Sequence, residues 1–369
     1  MPHLFPHRPR HHLTAPAAAL TMLAVLAGCT STTAATQAAS GAAATTIRIT
    51  GAGSTFDAPF FDVAFPRYQQ QHPGITISYA AVGSSAGITR FTAGQADFGA
   101  TDVPASPADL AGARGGPAVQ IPVDLGAVAV AYNGDGPGRP QLKLTGPVTA
   151  RIFLGQITYW DDPAITALNP GRGLPHQPVS VVHRADGSGT TYIFSDYLSQ
   201  VSPAWAARVG TGRSLRWPVG QGADGNDGVA STIARTPFSI GYVEASWAYA
   251  GPQIAAIANQ AGRYVTPTAA AIAADAATRP AITPDSFSIV NQPSPAAYPI
   301  SGYSWVLISA RQPSQTAGQA LIKLISWLIG PGQADAGSLG YVPLPPAIRQ
   351  YAHAALATIT GPGGISLTG

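Results

Sequence analysis

The sequence predicts an α/β protein with mainly parallel sheets. Short apolar segments, which are typical of buried strands, alternate along the chain with segments whose apolar residues recur at helical spacing. Three of the apolar segments lead directly into turns rich in glycine and small hydroxyl residues, as a strand does when a helix follows it. Because strands separated by helices usually run parallel, this alternation predicts parallel sheets covered by helices.

The individual elements can be predicted in chain order. Apolar runs predict strands over residues 47–50, 75–82, 96–100, 119–132, 179–182, 239–243 and 303–308. Apolar residues at helical spacing predict helices over residues 60–71, 88–93, 149–154, 228–235 and 318–328. Proline- and glycine-rich segments at 134–140 and 291–299 each interrupt the pattern once. We interpret them as two crossings between domains, since 369 residues are enough for two domains.

The first 28 residues are predicted to be a lipoprotein signal peptide. A basic, histidine-rich start is followed by an apolar stretch that ends in Leu-Ala-Gly-Cys at Cys29. This ending resembles a bacterial lipobox, in which cleavage precedes the cysteine and its thiol receives a lipid. An ordinary secretory signal with a cysteine there by chance is the alternative. Residues 29–46, rich in Ala, Thr and Ser, are then predicted to be a flexible tether.

Composition excludes several classes of function. Cys29 is the only cysteine, so the chain can form neither an intramolecular disulfide nor a thiolate metal cluster. Removing Arg8 and Arg10 with the signal peptide reduces 20 basic residues to 18, against 17 acidic ones. This balance does not favour nucleic-acid binding. The sequence after the signal peptide has no run of about 18 apolar residues, so it predicts no membrane-spanning helix.

Residues 182–191 have the composition of an anion site. A predicted strand leads to Arg184, and Ser188, Gly189 and Thr190 are expected in the first turn of the helix that follows. Backbone N–H groups in a first turn have no intrahelical partner and lie at the positive end of the helix dipole. A tetrahedral oxyanion can bind these groups, and Arg184 adds a planar fork of donors.

Two earlier turns and one strand end are expected near this site. Glycine-rich turns at 51–56 and 83–87 each follow a predicted strand. Such turns gather at the carboxyl edge of a parallel sheet, where ligands bind. Asp102 ends another strand. A carboxylate can only accept hydrogen bonds, so Asp102 suits an anion that still carries a proton.

Taken together, these motifs resemble the PstS-type phosphate-binding component of bacterial phosphate-uptake ABC transporters. The resemblance extends from about residue 49 to residue 351. It depends on the joint order of six motifs: Thr50-Gly-Ala-Gly-Ser-Thr-Phe56, Gly83-Ser-Ser-Ala-Gly87, Asp97-Phe-Gly-Ala-Thr-Asp102, Arg184-Ala-Asp-Gly-Ser-Gly-Thr190, Gly225-Asn-Asp-Gly228 and Ile240-Gly-Tyr-Val-Glu244.

The resemblance implies a two-lobed periplasmic-binding-protein fold of type II, also called a Venus flytrap. Each lobe would contain a mainly parallel sheet, and the anion would lie in the cleft between the lobes. Lobe I would comprise residues 47–130 and 301–369, and lobe II residues 131–300. Two hinge crossings are expected, near residues 128–133 and 299–303.

The resemblance also assigns phosphate contacts to individual residues. In lobe I they are Thr55, Phe56, Ser84 and Asp102, the last accepting a proton from the ligand. In lobe II they are Arg184, Ser188, Gly189 and Thr190, with Asp186 orienting the arginine. The implied protein is a non-enzymatic, lipid-anchored receptor without metal or organic cofactor. It would capture inorganic phosphate outside the cell and deliver it to the permease subunits of the transporter.

Each of these residues also has a purely structural interpretation. Thr55, Ser84 and Ser188 are residue types that commonly cap helices. Asp102 suits the N-cap of a helix over 104–110. Arg184 and Asp186 would be an ordinary surface ion pair.

Two motifs are typical of enzymes. Residues 83–87 fit the G-x-S-x-G nucleophile elbow, which would make Ser85 the nucleophile of a hydrolase. Of the downstream histidines, however, His183 directly precedes Arg184, and His353 has no acidic neighbour in sequence. Residues 220–225 fit the G-x-G-x-x-G pattern of a dinucleotide site. Pro218 interrupts the strand predicted before that motif, and residues 226–228 are a poor helix opening.

An exported phosphatase is a further alternative. Many phosphatases hold metal ions with clustered histidines and carboxylates. The chain beyond the signal peptide has four histidines with no clustering in sequence: His72, His176, His183 and His353.

Overall fold

The structure is a computed structural model that describes residues 46–134, 140–249 and 251–367. The predicted signal peptide, Cys29 and the tether up to residue 45 lie outside these residues. So does most of the predicted interruption at 134–140.

Every segment that the sequence predicts as a strand or a helix overlaps such an element in the described residues, and the structure has further elements that were not predicted. The strands are β1 Ile47–Gly53, β2 Ile75–Ala81, β3 Phe98–Thr101, β4 Ala118–Asn133, β5 Lys143–Leu144, β6 Ser180–Arg184, β7 Gln221–Ala223, β8 Ser239–Glu244, β9 Gln253–Ile254, β10 Ala256–Ala258, β11 Tyr264–Val265 and β12 Ser301–Ser309. The α-helices are α1 Ala58–Gln71, α2 Ser84–Thr92, α3 Pro107–Leu110, α4 Gly146–Phe153, α5 Pro163–Thr166, α6 Gly189–Val201, α7 Pro203–Arg208, α8 Gly225–Arg235, α9 Ala245–Tyr249, α10 Ala269–Ala277, α11 Gln315–Leu328, α12 Gln333–Ala336 and α13 Pro346–Ala357.

One large mixed sheet organises the fold. Its strand order is β2-β1-β3-β12-β4-β8-β6-β7, and β9 also pairs with β4. Strands β1, β2 and β3 run parallel and form the first parallel group. Strands β6, β7 and β8 form the second parallel group. Between the groups lie β12 and β4, which are antiparallel to each other and to their neighbours.

Strand β4 connects the two parallel groups. Its residues 118–127 pair with β12, and its residues 128–133 pair with β8. At the change of partner, Val128 donates its N–H to the Ile300 carbonyl at 2.8 Å. The Val128 carbonyl accepts the Tyr298 hydroxyl at 2.9 Å. The position at which β4 changes its pairing partner therefore lies beside both predicted hinge segments. Because Thr45–Gly369 cluster as one compact unit, the lobe boundaries remain a prediction.

The apolar face of α1 explains how the first parallel group is positioned. Phe61 and Phe65 are buried on this face, with ring centroids 4.6 Å apart. The Phe61 ring also meets Tyr79 of β2 edge-on at 4.9 Å. Since burying aromatic rings against the sheet stabilises the docked helix, the chain between β1 and α1 is held at the carboxyl end of β1.

Several predictions about helix starts are wrong, since α2, α4, α8 and α11 begin three or four residues earlier than predicted. Helix α8 begins at Gly225 instead of residue 228, because the φ of +70° at this glycine turns the chain into the helix. Asn226 therefore lies in the first turn, where a poor opening was expected. Helix α3 begins at Pro107 and is capped by Ser106 in a capping box with Asp109. Asp102 is thus not the cap of this helix.

Candidate anion-binding site

The carboxyl ends of the two parallel groups face each other. Strand β3 is antiparallel to β12, and β12 is antiparallel to β4, so β3 and β4 run in the same direction. Strand β8 is antiparallel to β4 and therefore runs back toward the first group. Four helices begin where the strands end: α1, α2, α6 and α8. Their first-turn N–H groups create a positive potential in this region.

Hydrogen bonds join the two groups at this point. The N–H of Gly189 donates to Ser84 Oγ at 3.0 Å, and the Thr190 hydroxyl donates to Asp102 Oδ2 at 2.9 Å. The N–H of Ser85 donates to the Gly187 carbonyl at 3.0 Å. The structure thus brings the predicted residues of the two halves of the chain into one buried region. Their role in binding phosphate remains a prediction.

Asp102 lies at the end of β3 and is only 1% exposed. The hydroxyls of Ser54 and Thr190 each donate to one of its carboxylate oxygens. Burial raises the pKa of Asp102 to about 6, although these hydrogen bonds and the charge of Arg184 oppose the rise. Near neutral pH the group is therefore mostly an acceptor surrounded by donors.

Arg184 is the last residue of β6 and is 3% exposed, so the surface interpretation of this residue is wrong. Its Nε donates to Asp186 Oδ1 at 2.6 Å, and its Nη2 donates to the other carboxylate oxygen. The third nitrogen, Nη1, lies 3.5 Å from Thr190 Oγ1. Asp186 therefore orients the guanidinium and leaves one nitrogen beside the other predicted contacts.

Asp186 is ionised for a clear physical reason. Burial acts to raise its pKa, but the hydrogen bonds and charge of Arg184 hold that pKa below its usual value. The N–H of Gly225, in the first turn of α8, adds a further hydrogen bond at 3.1 Å. The Arg184–Asp186 pair is consequently tied to the beginning of a second helix.

At the start of α6, Ser188 caps the helix and Gly189 lies close to Asp102. Ser188 is the N-cap residue, one position before the first turn, and its Oγ accepts the N–H of Thr191 at 3.1 Å. Its own N–H donates to the Arg213 carbonyl at 2.9 Å. Gly189 follows and lies against Asp102, since an added Cβ would be only 2.7 Å from the Asp102 Cβ. No residue larger than glycine fits there without movement.

Neither Thr55 nor Ser84 is the N-cap residue of the helix that follows it in sequence. Asp57 is the N-cap residue of α1, and Ser84 lies inside the first turn of α2 after Gly83. Phe56 is fully buried and donates its N–H to Ser54 Oγ at 2.8 Å.

Sequence reasoning missed Asn226 and Ser54. The Nδ2 of Asn226 donates to Thr55 Oγ1 at 3.0 Å and to Thr190 Oγ1 at 3.2 Å. The motif Gly225-Asn-Asp-Gly228 marked this residue, but the sequence assigned it no role. Ser54 is a small residue whose hydroxyl bonds Asp102. Only this hydrogen bond in the structure shows that Ser54 contacts a predicted site residue.

The contacts of two histidines and the position of β7 do not favour the enzyme interpretations. His176 pairs with Asp161, and His183 bonds the Arg184 carbonyl and stacks on Trp217, so both histidines are engaged away from Ser85. Strand β7 occupies the middle of the G-x-G-x-x-G motif, so the first two glycines of the motif do not form the turn between a strand and a helix. The described residues include no cluster of three or more His, Cys, Asp or Glu that could hold a metal ion. Among those same residues no helix is long and apolar enough to span a membrane.

Comparison with solved structures supports the fold. A phosphate-binding protein from Stenotrophomonas maltophilia superposes with a TM-score of 0.68 at 20% identity, covering 87% of this chain and 99% of that chain. The periplasmic phosphate-binding protein PfluDING, solved with phosphate, superposes with a TM-score of 0.67 at 21% identity, covering 83% and 93%. The predicted periplasmic-binding-protein fold is therefore confirmed.

Sequence comparison shows the family. Residues 32–331 match the PBP superfamily domain. The phosphate-binding protein PstS of Xylella fastidiosa is 38% identical over 311 residues, which cover 84% of each chain. PstS of Pasteurella multocida is 36% identical, covering 83% of this chain and 89% of its own. This chain therefore belongs to the PBP superfamily and, within it, to the PstS family of phosphate-binding proteins.

Proposed function

We propose that the protein binds inorganic phosphate outside the cell and delivers it to the permease subunits of an ABC transporter. One observation carries the proposal: the buried carboxylate of Asp102 lies among hydroxyl groups, the Arg184 guanidinium and the start of α6. Several donors beside one acceptor fit a tetrahedral anion that keeps a proton. Membership of the PstS family supports the same function.

The proposed phosphate contacts divide by chemistry. Arg184 supplies the full positive charge, with Asp186 holding its orientation, and Asp102 accepts the ligand proton. The remaining proposed contacts are donors from hydroxyl or backbone groups: Thr55, Phe56, Ser84, Ser188, Gly189 and Thr190. Several of these groups bond one another in the structure, as Gly189 and Ser84 do. Phosphate would replace such mutual bonds with bonds to its own oxygens.

Enclosure explains how the site can bind an anion although the chain has little net charge. Water around the anion is replaced by donors that the fold already holds in place, so these donors lose little conformational entropy when the anion binds. We propose binding and transfer without catalysis, because no specific observation supports a Ser85 hydrolase or a phosphatase.

We also propose that Cys29 carries a lipid that anchors the mature chain to the outer face of the cell membrane. Cys29→Ser should remove the anchor and release protein that still binds phosphate. Fractionation of cells that express each form would measure this. Equal membrane retention of the two forms would exclude lipidation at Cys29.

Calorimetric titration of the mature Cys29→Ser chain tests the binding function. Phosphate should bind, and arsenate should bind comparably because it has the same shape and a similar proton. Sulfate dianion lacks that proton, so we expect it to bind about 10⁴-fold more weakly. A phosphomonoester should also be excluded by the enclosed site. Sulfate binding within about tenfold of phosphate would contradict the role of Asp102.

A further inference from the structure

We infer that Asn226 sets the direction of hydrogen bonding in the anion site, making the hydroxyls of Thr55 and Thr190 donors and leaving Asp102 to accept. Asn226 is a positioning residue in this role, because it acts through two threonines. The inference rests on the proposed phosphate-binding function. It extends that function to a residue outside the predicted contacts.

The orientation of the Asn226 carboxamide follows from its surroundings. The side chain is fully buried in the first turn of α8. Its Oδ1 accepts the backbone N–H of Glu244 at 2.9 Å. A backbone N–H can only donate, so the amide oxygen must face Glu244 and the NH₂ group must face the opposite way.

The NH₂ group then determines what the Thr55 hydroxyl can do. Thr55 Oγ1 accepts two hydrogen bonds from Asn226, one from the backbone N–H and one from Nδ2, both at 3.0 Å. A hydroxyl oxygen has two lone pairs and one proton. Since Asn226 occupies both lone pairs, the Thr55 hydroxyl can only donate. It is suited to a ligand oxygen without a proton.

The same amide acts on Thr190. Its Nδ2 lies 3.2 Å from Thr190 Oγ1, whose proton points to Asp102 Oδ2 at 2.9 Å. Both hydroxyls therefore accept from Asn226 and donate elsewhere, to Asp102 or to a bound anion. A proton on the ligand is directed to Asp102. Asn226 thus contributes to the recognition of a singly protonated anion.

Two substitutions separate the direction of these bonds from simple packing. Asn226→Asp keeps the shape of the side chain but replaces the donating NH₂ with an accepting oxygen, toward which the threonine hydroxyls would turn. Asn226→Ala removes the group and leaves the hydroxyls free to rotate toward phosphate. Each is combined with Thr55→Val, which removes the Thr55 hydroxyl while keeping its shape. Phosphate affinity is measured by calorimetry in every background.

We expect Thr55→Val to weaken phosphate binding about tenfold in the wild-type background, because a hydrogen bond to a charged ligand is lost. In the Asn226→Ala background, Thr55→Val should still weaken phosphate binding about threefold or more. In the Asn226→Asp background, Thr55→Val should weaken it only about twofold or less, since the Thr55 hydroxyl no longer donates to phosphate there. Thermal unfolding without ligand checks that each variant folds.

The outcomes are distinguishable. Equal costs of Thr55→Val in all three backgrounds would overturn the inference, because charge repulsion alone is additive. The inference would also be overturned if Thr55→Val weakened phosphate binding as little in the Asn226→Ala background as in the Asn226→Asp background. Simple packing by Asn226 predicts that result. If Asn226→Ala does not fold, the comparison of Asn226→Asp with wild type still decides. Failure of the wild-type chain to bind phosphate would instead contradict the proposed function.

Discussion

At the scale of residues, Asp102 and Arg184 carry opposite charges and both lie within hydrogen-bonding distance of Thr190 Oγ1, where the proposed function places the anion. The arginine attracts an anion, whereas the ionised aspartate repels any anion that cannot offer a proton. The pKa of about 6 for Asp102 means that this repulsion weakens as the pH falls through 6. In the proposed site, attraction and selectivity would thus come from two different side chains.

Arg184 should supply most of the charge-dependent affinity. We expect Arg184→Ala to cost about 2–5 kcal/mol of phosphate binding, because the buried anion loses its cationic partner. Arg184→Lys should recover only part of this, because an ammonium does not reproduce the fork that Asp186 holds. Calorimetry would measure both, with Arg235→Ala on the exposed end of α8 as the control. Near-wild-type affinity of the Arg184→Ala variant would remove Arg184 from the site.

Asp102→Asn should weaken selectivity more than affinity. An amide can turn its NH₂ group toward a sulfate oxygen, so the sulfate dianion no longer faces a repelling carboxylate. We expect the preference for phosphate over sulfate to fall by about two orders of magnitude or more. In the unsubstituted protein, sulfate binding should strengthen below pH 6, where Asp102 takes up a proton. Competition titrations at pH 5 and pH 8 test both statements, and an unchanged preference in the variant would refute them.

At the scale of elements, α6 approaches β3 closely at the proposed site. A Cβ added to Gly189 would be 2.8 Å from the backbone nitrogen of Asp102, which cannot swing away as a side chain can. The N–H groups at the start of a helix act over a short range, so displacement of α6 weakens their contact with the anion.

Gly189→Ala should therefore cost about 1–3 kcal/mol of folding stability, the usual cost of overfilling a packed site, and should weaken phosphate binding because α6 is displaced. Gly337→Ala is the matched control, since an added Cβ there meets no atom within 4 Å. Affinity and thermal stability would be measured for both variants. If the two variants bind phosphate equally well, close approach of α6 is not required.

At the scale of the whole molecule, the fold buries acidic groups beneath the site. Asp57, the N-cap residue of α1, and Asp124, a residue of β4, are both fully buried. Burial raises the pKa of Asp57 well above its usual value, and the charges of Asp124 and Asp102 raise it further. Burial raises the pKa of Asp124 to about 7, and the charge of Asp102 adds to the rise. Burial therefore favours the protonated forms of these acids relative to exposed carboxyls.

Stability should consequently fall as the pH rises from 5 to 8. A carboxyl whose pKa is higher in the folded state binds its proton more tightly there than in the unfolded chain. The resulting stabilisation is complete below the unfolded pKa, near 4, and is lost as the pH rises through the folded value of about 7 for Asp124. We expect Asp124→Asn to reduce this loss by about 1–3 kcal/mol.

Urea unfolding at pH 5 and pH 8 without phosphate would measure the effect. Asp62→Asn, at an exposed position of α1, is the control and should leave the pH dependence unchanged. A pH dependence of Asp124→Asn parallel to that of wild type would show that Asp124 does not hold its proton in the folded state.

Features that depend on neighbours in the chain can be read from the amino-acid sequence. Hydrophobic spacing placed the longer strands and several helices, including β4 and α11, because burial of one face imposes its period on a continuous segment. The glycine-rich turns, Arg184 and the start of α6 could likewise be read locally, since a strand, a turn and a helix start follow one another directly.

What residues distant in sequence do together depends on the three-dimensional packing of the chain. The antiparallel insertion of β12 beside β4, the electrostatic interaction of Asp57 with Asp124 and the contact of Asn226 with Thr55 all join separate segments. Asn226 stands 171 positions after Thr55, and neither residue alone indicates the other. Whether a polar side chain caps a helix, bonds a ligand or orients a hydroxyl depends on the partners that packing brings to it, and local spacing carries no information about those partners.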